Sequence, residues 1–417
     1  NLKAKDKASF NLVIVPRSLL HNWLNETKKH TPQLKALIYA GNDRENYIKH
    51  FENYDIIITS YGILRNDLSI LSNIKFNYVV LDESQYIKNR NSKTYMSVKE
   101  INAENKVVLT GTPIENSLSD LWSQLNFVNK GLLGSYKFFK ENFIIPIEKY
   151  KDEEATKELK TIIAPFVLRR TKQQVEKDLP EIEINTITCE MSEKQAELYE
   201  QEKSKIRNKI IELYHSGTLR KSNVYVLQAL TKLRQIANHP YMIDKESEIS
   251  SGKFDEVINR LQTLIDNNHK VLVFSSFVKH LAIFERELTA RDFKYSKIVG
   301  STTKRQEIVN EFQNNEDIKI FLISIKAGGV GLNLTAADYV FIIDPWWNPA
   351  VEMQAIARAH RIGQTKNVFA FKFITYGTIE EKIQALQNKK LELADEFINA
   401  NNYFKYFSED TIVELFN

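Results

Sequence analysis

Residues 76–85 read FNYVVLDESQ, an almost continuous apolar run that ends in two adjacent carboxylates, Asp82 and Glu83. Such a run is typical of a strand covered on both faces in a parallel sheet. Open α/β sheets bind ligands at the carboxyl ends of their strands, which is where these carboxylates lie. An aspartate there can hold Mg²⁺ through water, and the adjacent glutamate can orient an attacking water. An Asp-Glu pair alone is more often an exposed loop, so the strand context carries this prediction.

The same pattern of short apolar runs recurs in both halves of the chain. The runs lie at 11–16, 54–62, 76–83 and 105–113, and again at 270–277, 295–300, 318–324, 338–344 and 368–374. Because helical stretches separate the runs, the pattern predicts two doubly wound α/β domains with parallel sheets.

A long block between the two sets of strands has a helical pattern instead. Apolar residues recur at helical spacing over 191–215, and Ser192 with Gln195 forms a capping box at the start of this stretch. Residues 221–238 read as a second helix. Loops above roughly 15 residues are uncommon in compact domains, so we expect a helical insertion here. A further capping box at 378–381 predicts a charged helix near the end of the chain.

The composition excludes several classes of protein. Of the 417 residues, 43% are hydrophobic and 26% are charged, which excludes a disordered chain, a fibre and a coiled-coil rod. The net charge is only +4, so a nucleic-acid surface requires a local basic patch. Cys189 is the single cysteine, which excludes a disulfide framework and favours a reducing compartment. The apolar runs fall far short of the roughly 20 residues that a membrane span needs.

Three further segments follow predicted strands and suit phosphate or nucleic acid. Residues 110–113, TGTP, offer hydroxyl groups to a carboxylate or a phosphate, although a plain turn also explains a Gly-Pro pair. The glycine-rich segment 327–334 admits close approach of a phosphate backbone. Trp346 and Trp347, which two prolines flank, either pack in a core or stack against bases.

Two arginines, Arg358 and Arg361, lie within QAIARAHRIGQ at 354–364. They are three residues apart, so they share one face if the stretch is helical. Two guanidinium groups on one face suit the negative charge that develops on a γ-phosphate, as arginine fingers do. A solvated basic face is the commoner role of such a pair.

Together these segments resemble the motifs of the Swi/Snf-type branch of the superfamily 2 helicase-like ATPases, in the same order along essentially the whole chain. Segments that resemble general helicase motifs are 16–23, 59–61, 82–85, 109–122, 274–277, 324–334 and 358–364. Segments that match blocks particular to this branch are FVLRRTK (166–172), LP (179–180), LRQIANHP (233–240), SGKF (251–254), AHRIGQ (359–364) and the WNP element at Trp347.

The resemblance implies an architecture and an activity. The expected fold is α/β, with two RecA-like doubly wound parallel-sheet lobes and helical protrusions inserted between them. The expected domains are a first lobe at 1–130, protrusions and an inter-lobe linker at 131–250, a second lobe at 251–377 and a C-terminal helical brace at 378–417. The implied activity is ATP-dependent, Mg²⁺-requiring movement along double-stranded DNA, which displaces or remodels bound protein.

The resemblance also implies roles for individual residues. The catalytic residues would be Asp82, which holds Mg²⁺ through water, Glu83, Arg358 and Arg361, with the two arginines completing the site from across the cleft between the lobes. The nucleotide-binding residues would be Thr112, Gln354 and Gln85. The DNA-binding residues would be Arg17, Thr59, Ser60, Lys326, Gly328 and Trp347.

The chain departs from this family in two places. It contains no G-x-x-x-x-G-K-[ST] phosphate loop, and the nearest match, Gly252-Lys253-Phe254, lacks the hydroxyl residue that would reach Mg²⁺. Motif II reads DESQ where the branch more often has DEAH or DEGH, and Gln85 can hydrogen-bond but cannot titrate. Because the chain opens at Asn1 in polar, lysine-rich sequence, we expect a fragment of a longer protein that is inactive alone.

Two other functions stay open. One is an RNA-dependent helicase, against which the branch-specific blocks argue. The other is a non-catalytic nucleic-acid-binding scaffold, which the missing phosphate loop favours. We expect a monomer without membrane association, whose protein target the sequence does not identify, located in the cytoplasm at a bacterial nucleoid or in a eukaryotic nucleus.

Overall fold

The structure is a computed structural model that describes residues 10–111, 118–168, 170, 179–328, 332–345, 349–385 and 409–416. The chain forms two compact units, which consist mainly of Asn1–Thr171 and Lys172–Glu396. The predicted boundaries at 130, 250 and 377 within this division stay predictions.

The first unit contains a parallel sheet in the order β2-β3-β1-β4-β5. Its strands are β1 (Asn11–Val15), β2 (Ala36–Ile38), β3 (Ile56–Ser60), β4 (Lys75–Leu81) and β5 (Asn102–Val108). The four apolar runs of this half of the sequence thus form strands, as predicted. The sequence did not reveal β2, because a half-buried edge strand of three residues is too short for a recognisable period.

Helices cover the sheet of the first unit and extend beyond it. They are Leu20–His30, Tyr61–Asn66, Leu68–Leu71, Lys93–Lys99, Leu118–Val128, Tyr136–Phe139, Ile145–Tyr150 and Glu153–Ile163, with 3₁₀ turns at Arg17–Leu19, Arg44–Asn53, Ser84–Ile87 and Ala164–Phe166 and a π-helical turn at Lys140–Ile144. Leu12, Ile57 and Val79 lie fully buried in the core of the sheet. A second core, around Trp122 and Phe139, belongs to the helices after β5.

The second unit contains a parallel sheet in the order β6-β11-β10-β7-β9-β8. Its strands are β6 (Ile182–Cys189), β7 (Val271–Ser275), β8 (Tyr295–Ile298), β9 (Ile320–Ser324), β10 (Tyr339–Ile342) and β11 (Val368–Thr375). Five of these strands were predicted, and β6 comes from the block that we expected to be helical. Its sequence, IEINTITC, is rich in β-branched residues and pairs with β11 along its whole length, which stabilises it as a strand.

Helices flank this second sheet as well. They are Glu193–His215, Asn223–Asn238, Gly252–Asp266, Val278–Ala290, Arg305–Asn314, Ile325–Gly328, Pro349–Ile356 and Glu409–Phe416, with 3₁₀ turns at Leu219–Ser222 and Pro240–Met242. Residues 379–385 are also helical. The two helices predicted for the long block are therefore present, and the first has the predicted capping box between Ser192 and Gln195.

The predicted cap at 378–381 differs in its contacts. The helix begins after Thr378 as expected, but the Thr378 hydroxyl accepts from the Glu380 N–H at 3.2 Å rather than from Glu381. The Glu381 carboxylate accepts instead from the N–H of Gly377, at 2.9 Å. Both contacts are shifted by one residue, and they still satisfy backbone donors at the helix start. The part of this predicted helix beyond residue 385 lies outside the described residues.

The C-terminal residues pack on the helices of the long block. Ile379, Ile383, Ile412 and Phe416 share one buried cluster with residues of Glu193–His215 and Asn223–Asn238. Lys382 donates to the carbonyl oxygen of Glu414 at 3.1 Å, at the end of the last helix. No helix among the described residues is both long and apolar enough to cross a membrane.

Candidate active site

Asp82 lies directly after β4, at the centre of a set of hydrogen bonds. The Trp23 indole N–H donates to Oδ2 of Asp82 at 2.8 Å, and the Glu83 N–H donates to Oδ1 at 2.8 Å. The Asp82 N–H donates to the carbonyl of Ile14 at 2.9 Å, which continues the β1–β4 pairing. The Tyr61 hydroxyl donates to the Asp82 carbonyl at 2.8 Å. These bonds fix both the backbone and the carboxylate of Asp82.

The environment of Asp82 fits a hard divalent cation. None of the described lysine or arginine side chains forms an ion pair with its carboxylate, which is half-buried. Each carboxylate oxygen accepts one hydrogen bond and keeps a further lone pair. Oxygen ligands of this kind, with waters completing the shell, suit Mg²⁺. No cluster of three or more potential metal-binding side chains occurs in the described part of the chain.

Glu83 has a left-handed backbone, with φ of 50° and ψ of 54°. A residue other than glycine pays strain for this conformation, and such strain concentrates at functional sites. The Gln85 amide holds the Glu83 carboxylate, since its Nε2 donates to Oε2 at 2.7 Å. The Thr110 hydroxyl donates to the Gln85 Oε1 at 3.4 Å. Gln85 therefore joins the end of β4 to the end of β5, with an amide that does not titrate.

The Tyr61 ring closes one side of this site. It is buried and stacks on Tyr86, with ring centroids 5.0 Å apart and an interplanar angle of 3°. Burial, and then the negative charges of Asp82 and Glu83, raise the pKa of the Tyr61 hydroxyl well above its usual range. Tyr61 is therefore a permanent hydrogen-bond donor at physiological pH.

The residues predicted to bind DNA in the first unit fall into two groups. Arg17 is exposed, in the 3₁₀ turn that follows β1. Thr59 and Ser60 are buried at the end of β3. The Thr59 hydroxyl donates to the Tyr39 carbonyl at 2.9 Å, and the Ser60 Oγ accepts from the Ile63 N–H as a helix cap. Their hydroxyl groups thus have local structural partners, whereas the Arg17 side chain is open to solvent.

Arg358 and Arg361 both contact the segment after β9. The Arg358 Nε donates to the Gly328 carbonyl at 3.1 Å, and Nη1 of Arg361 donates to the Leu332 carbonyl at 3.5 Å. The two arginines would share one face if their stretch were helical. The helix Pro349–Ile356 ends before them, so this expectation is wrong and both residues lie outside the helix. Both guanidinium groups nevertheless lie beside the same segment, because each donates to a carbonyl of the stretch that follows β9.

The remaining predicted residues of the second unit differ in exposure. Lys326 is exposed, and Gln354 is half-buried on the helix Pro349–Ile356. Gly328 is buried, and a Cβ there would lie 2.6 Å from the Phe274 ring and 2.9 Å from Ile323. This glycine is therefore required by close packing against the sheet. Trp347 lies outside the described residues, as does Thr112 of the first unit.

A buried cluster joins the ends of β7 and β10, and sequence reasoning missed it. The Asp344 carboxylate accepts from the Ser275 hydroxyl and from the N–H and hydroxyl of Ser276. Arg234 approaches it within 3.5 Å and donates to the Pro345 carbonyl at 2.7 Å. Burial alone would raise the pKa of Asp344, but the nearby His280, the charge of Arg234 and Ser275 together lower it to about 2. The carboxylate is thus ionised and holds the point where the chain leaves β10.

The segment SGKF at 251–254 forms a second buried cluster rather than a phosphate loop. The Lys253 ammonium pairs with the Glu380 carboxylate and donates to Oδ1 of Asn238 at 3.1 Å. A Cβ at Gly252 would overlap the Glu190 carbonyl oxygen at 2.0 Å. These residues therefore join the start of one helix to the end of Asn223–Asn238. The sequence analysis identified SGKF as a segment typical of the branch, but it did not predict that Lys253 contacts Glu380 and Asn238.

Two family models match the chain. A model described as SNF2-related domain matches residues 2–242, and a model described as helicase conserved C-terminal domain matches residues 252–363. The first match alone covers more than half of the chain. The two matched ranges together contain every residue predicted to be catalytic, to bind nucleotide or to bind DNA.

Individual relatives are similar over nearly all of the chain. YwqA of Bacillus subtilis (strain 168), provisionally named an ATP-dependent helicase/translocase, is 36% identical over 97% of this chain and 45% of YwqA. MG018 of Mycoplasma genitalium, named an uncharacterized ATP-dependent helicase, is 37% identical over 97% of this chain and 39% of MG018. The chain thus spans less than half the length of these curated relatives. The solved Sulfolobus solfataricus SWI2/SNF2 ATPase core in complex with dsDNA is 37% identical, with coverage of 99% and 87% and a TM-score of 0.48.

Proposed function

Since this chain belongs to the SNF2-related domain family of helicase-like ATPases, we propose that it is the motor of an ATP-dependent translocase that moves along double-stranded DNA. The strand-end placement of Asp82 supports this proposal most strongly. Its carboxylate faces no cation among the described side chains and is held in place by Trp23 and its own neighbour. Such a fixed, available carboxylate suits Mg²⁺ held through water.

The proposed roles follow the geometry of each unit. Glu83, whose carboxylate Gln85 holds, orients the attacking water. Asp82 would hold Mg²⁺, which would supply positive charge beside the phosphates of bound ATP. Arg358 and Arg361 stabilise the charge that develops on the transferred phosphoryl group, and Thr112, Gln354 and Gln85 contribute to nucleotide binding. The movement along DNA displaces or remodels a DNA-bound protein.

DNA contacts in this proposal come first from the exposed cations. Arg17 follows β1 in the first unit, and Lys326 follows β9 in the second. Thr59, Ser60 and Gly328 shape the backbone beside them, and Trp347 adds an aromatic contact. Contacts to phosphate position a protein without reading the base sequence, so we propose little sequence preference.

Duplex binding tests this proposal directly. The 417-residue chain should bind a fluorescent DNA duplex in anisotropy titrations, with an affinity that falls as salt rises and is similar for unrelated sequences. Arg17→Ala should weaken binding and reduce the salt slope by about one. Lys157→Ala, which removes an exposed charge on the helix Glu153–Ile163 of the same unit, is the control, because that helix carries none of the proposed DNA contacts. Equal affinity for single-stranded RNA would favour the RNA-dependent helicase, and the absence of duplex binding would refute the translocase.

Nucleotide turnover separates the motor from a scaffold. A form of the protein that includes a phosphate loop should hydrolyse ATP faster when duplex DNA is added, and displace a third strand from a triplex. If such a form binds duplex DNA but never hydrolyses ATP, the non-catalytic scaffold is the correct function.

A further inference from the structure

Two hydrogen-bond donors from different segments converge on Asp82. The Trp23 indole donates to its carboxylate at 2.8 Å, and the Tyr61 hydroxyl donates to its main-chain carbonyl at 2.8 Å. Trp23 lies on the helix Leu20–His30, which follows β1, and Tyr61 opens the helix that follows β3. Because β4 and β3 both pair with β1, three neighbouring strand ends meet at this one residue.

The segments that carry these donors also carry proposed DNA contacts. Arg17 and Trp23 lie on one continuous helical stretch, since the turn Arg17–Leu19 leads directly into Leu20–His30. Tyr61 directly follows Thr59 and Ser60, and Ser60 caps its helix. A displacement of either segment on DNA binding therefore changes a hydrogen bond to Asp82.

We propose that Trp23 and Tyr61 are positioning residues that couple duplex binding to metal binding at Asp82. The coupling rests on the proposed function, because it requires DNA at the Arg17 segment and Mg²⁺ at Asp82. The indole has a single N–H and no acceptor, so it can only hold the carboxylate or release it. A hydrogen bond to an ionised carboxylate is stronger than one between neutral groups, so its geometry affects how the carboxylate orients toward a cation.

Coupling of this kind is reciprocal. If DNA binding changes the affinity of Asp82 for the metal, the metal must change the affinity for DNA by the same factor. The Tyr61 hydroxyl donates to the main-chain carbonyl of Asp82, so it fixes the position of the Asp82 backbone. The Trp23 indole donates to the carboxylate itself, so it fixes the orientation of the Asp82 side chain. Tyr61→Phe removes the donor and keeps the ring, whereas Trp23→Phe removes the donor and replaces the indole with a smaller aromatic ring.

The indole N–H of Trp23 gives a direct signal of this contact. The chain has four tryptophans, so a spectrum of ¹⁵N-tryptophan-labelled protein has four indole resonances, which Trp→Phe variants assign. We expect Asp82→Asn to shift the Trp23 resonance, and MnCl₂ to broaden it before that of Trp122, whose indole faces the Gly134 carbonyl. We also expect a DNA duplex to shift the Trp23 resonance and to leave Trp122 unchanged.

Duplex affinity then measures the coupling. In the wild type, MnCl₂ should change the dissociation constant for duplex DNA by about fivefold or more, as for typical coupled sites. Trp23→Phe and Tyr61→Phe should each bring this ratio close to that of Asp82→Asn, in which only the general weakening of DNA binding by a divalent salt remains, while the melting temperature stays near that of the wild type. The controls Trp122→Phe and Tyr95→Phe should keep the wild-type ratio, because neither residue contacts Asp82.

The possible failures are distinguishable. If duplex DNA does not bind, or Arg17→Ala binds it as well as the wild type, the proposed function fails. If duplex binds through Arg17 but leaves the Trp23 resonance and the manganese ratio unaltered, only the coupling is overturned. A loss of the ratio in Trp23→Phe together with a large fall in melting temperature would assign Trp23 a merely structural role.

Discussion

At the scale of single residues, Lys253 has a sequence context similar to that of a phosphate-binding lysine but a different role in the structure. The Gly252-Lys253 pair resembles the end of a phosphate loop, yet the Lys253 side chain is fully buried against Glu380 and Asn238. A buried ammonium must be paired, because desolvation of an isolated charge is too costly. Lys253 therefore stabilises the second unit and is not available to a nucleotide.

We predict that Lys253→Met destabilises the second unit by about 3–5 kcal/mol, because it leaves the Glu380 carboxylate buried without its partner. Urea denaturation at neutral pH measures the change. Lys304→Met is the control, since the Lys304–Glu307 pair is exposed and should contribute little. Lys253→Met together with Glu380→Leu should recover much of the stability. A single variant as stable as the wild type would contradict the ion pair.

Arg361 provides a residue-scale prediction about catalysis. In a form of the protein that hydrolyses ATP, Arg361→Ala should lower turnover by about a thousandfold or more and leave duplex affinity nearly unchanged, as for an arginine finger. Arg358→Ala should behave similarly. Arg291→Ala, which removes an exposed ion pair with Glu287, should have no effect on turnover. Near-normal hydrolysis by Arg361→Ala would leave it only its hydrogen bond to the Leu332 carbonyl.

At the scale of elements, caps decide where the helices of the second unit begin and end. His239 ends Asn223–Asn238, and its Nδ1 accepts from the Tyr241 N–H at 3.2 Å. Burial, then the charges of His280 and Arg286, lower the pKa of His239 to about 4, below its usual 6.5. The imidazole must therefore stay neutral in the folded state to accept this bond.

This pKa predicts a pH dependence of stability. Between pH 6.5 and about 4 the unfolded state binds a proton at His239 and the folded state does not, so stability falls as pH decreases through this window. The slope for one proton is at most about 1.4 kcal/mol per pH unit. His239→Asn keeps a cap acceptor and should lose this slope. Urea denaturation of both proteins at neutral and mildly acidic pH tests it, and parallel pH profiles would refute it.

At the scale of the whole chain, the missing phosphate loop sets an expectation. The 417 residues contain no G-x-x-x-x-G-K-[ST] sequence, so the backbone cradle and lysine that hold the phosphates of ATP are not supplied by these residues. We predict that this chain alone hydrolyses ATP poorly with or without duplex DNA, while it still binds duplex. A coupled-enzyme assay measures turnover, and robust DNA-stimulated hydrolysis would show that the site is complete.

Much of the fold was predictable because its signal is local. Nine apolar runs of the sequence form strands, and the capping box at Ser192 marks a helix start correctly. The failures have physical causes as well. β2 is too short to show a period, and β6 alternates weakly within a block whose other segments are helical. The strand-end carboxylates at 82 and 83 were predictable because parallel sheets present their ligands there.

The sequence by itself determined the two α/β units, the strand-end position of Asp82 and the family to which the chain belongs. Only the tertiary structure decided the partners. Trp23 meets Asp82 across 59 residues, Arg234 meets Pro345 across 111, and Lys253 meets Glu380 across 127. Local patterns report whether a residue is apolar or lies in a helix or a strand, whereas such contacts depend on a strand order that differs from chain order. Hydrogen bonds between distant segments therefore become visible only when the sheets are assembled.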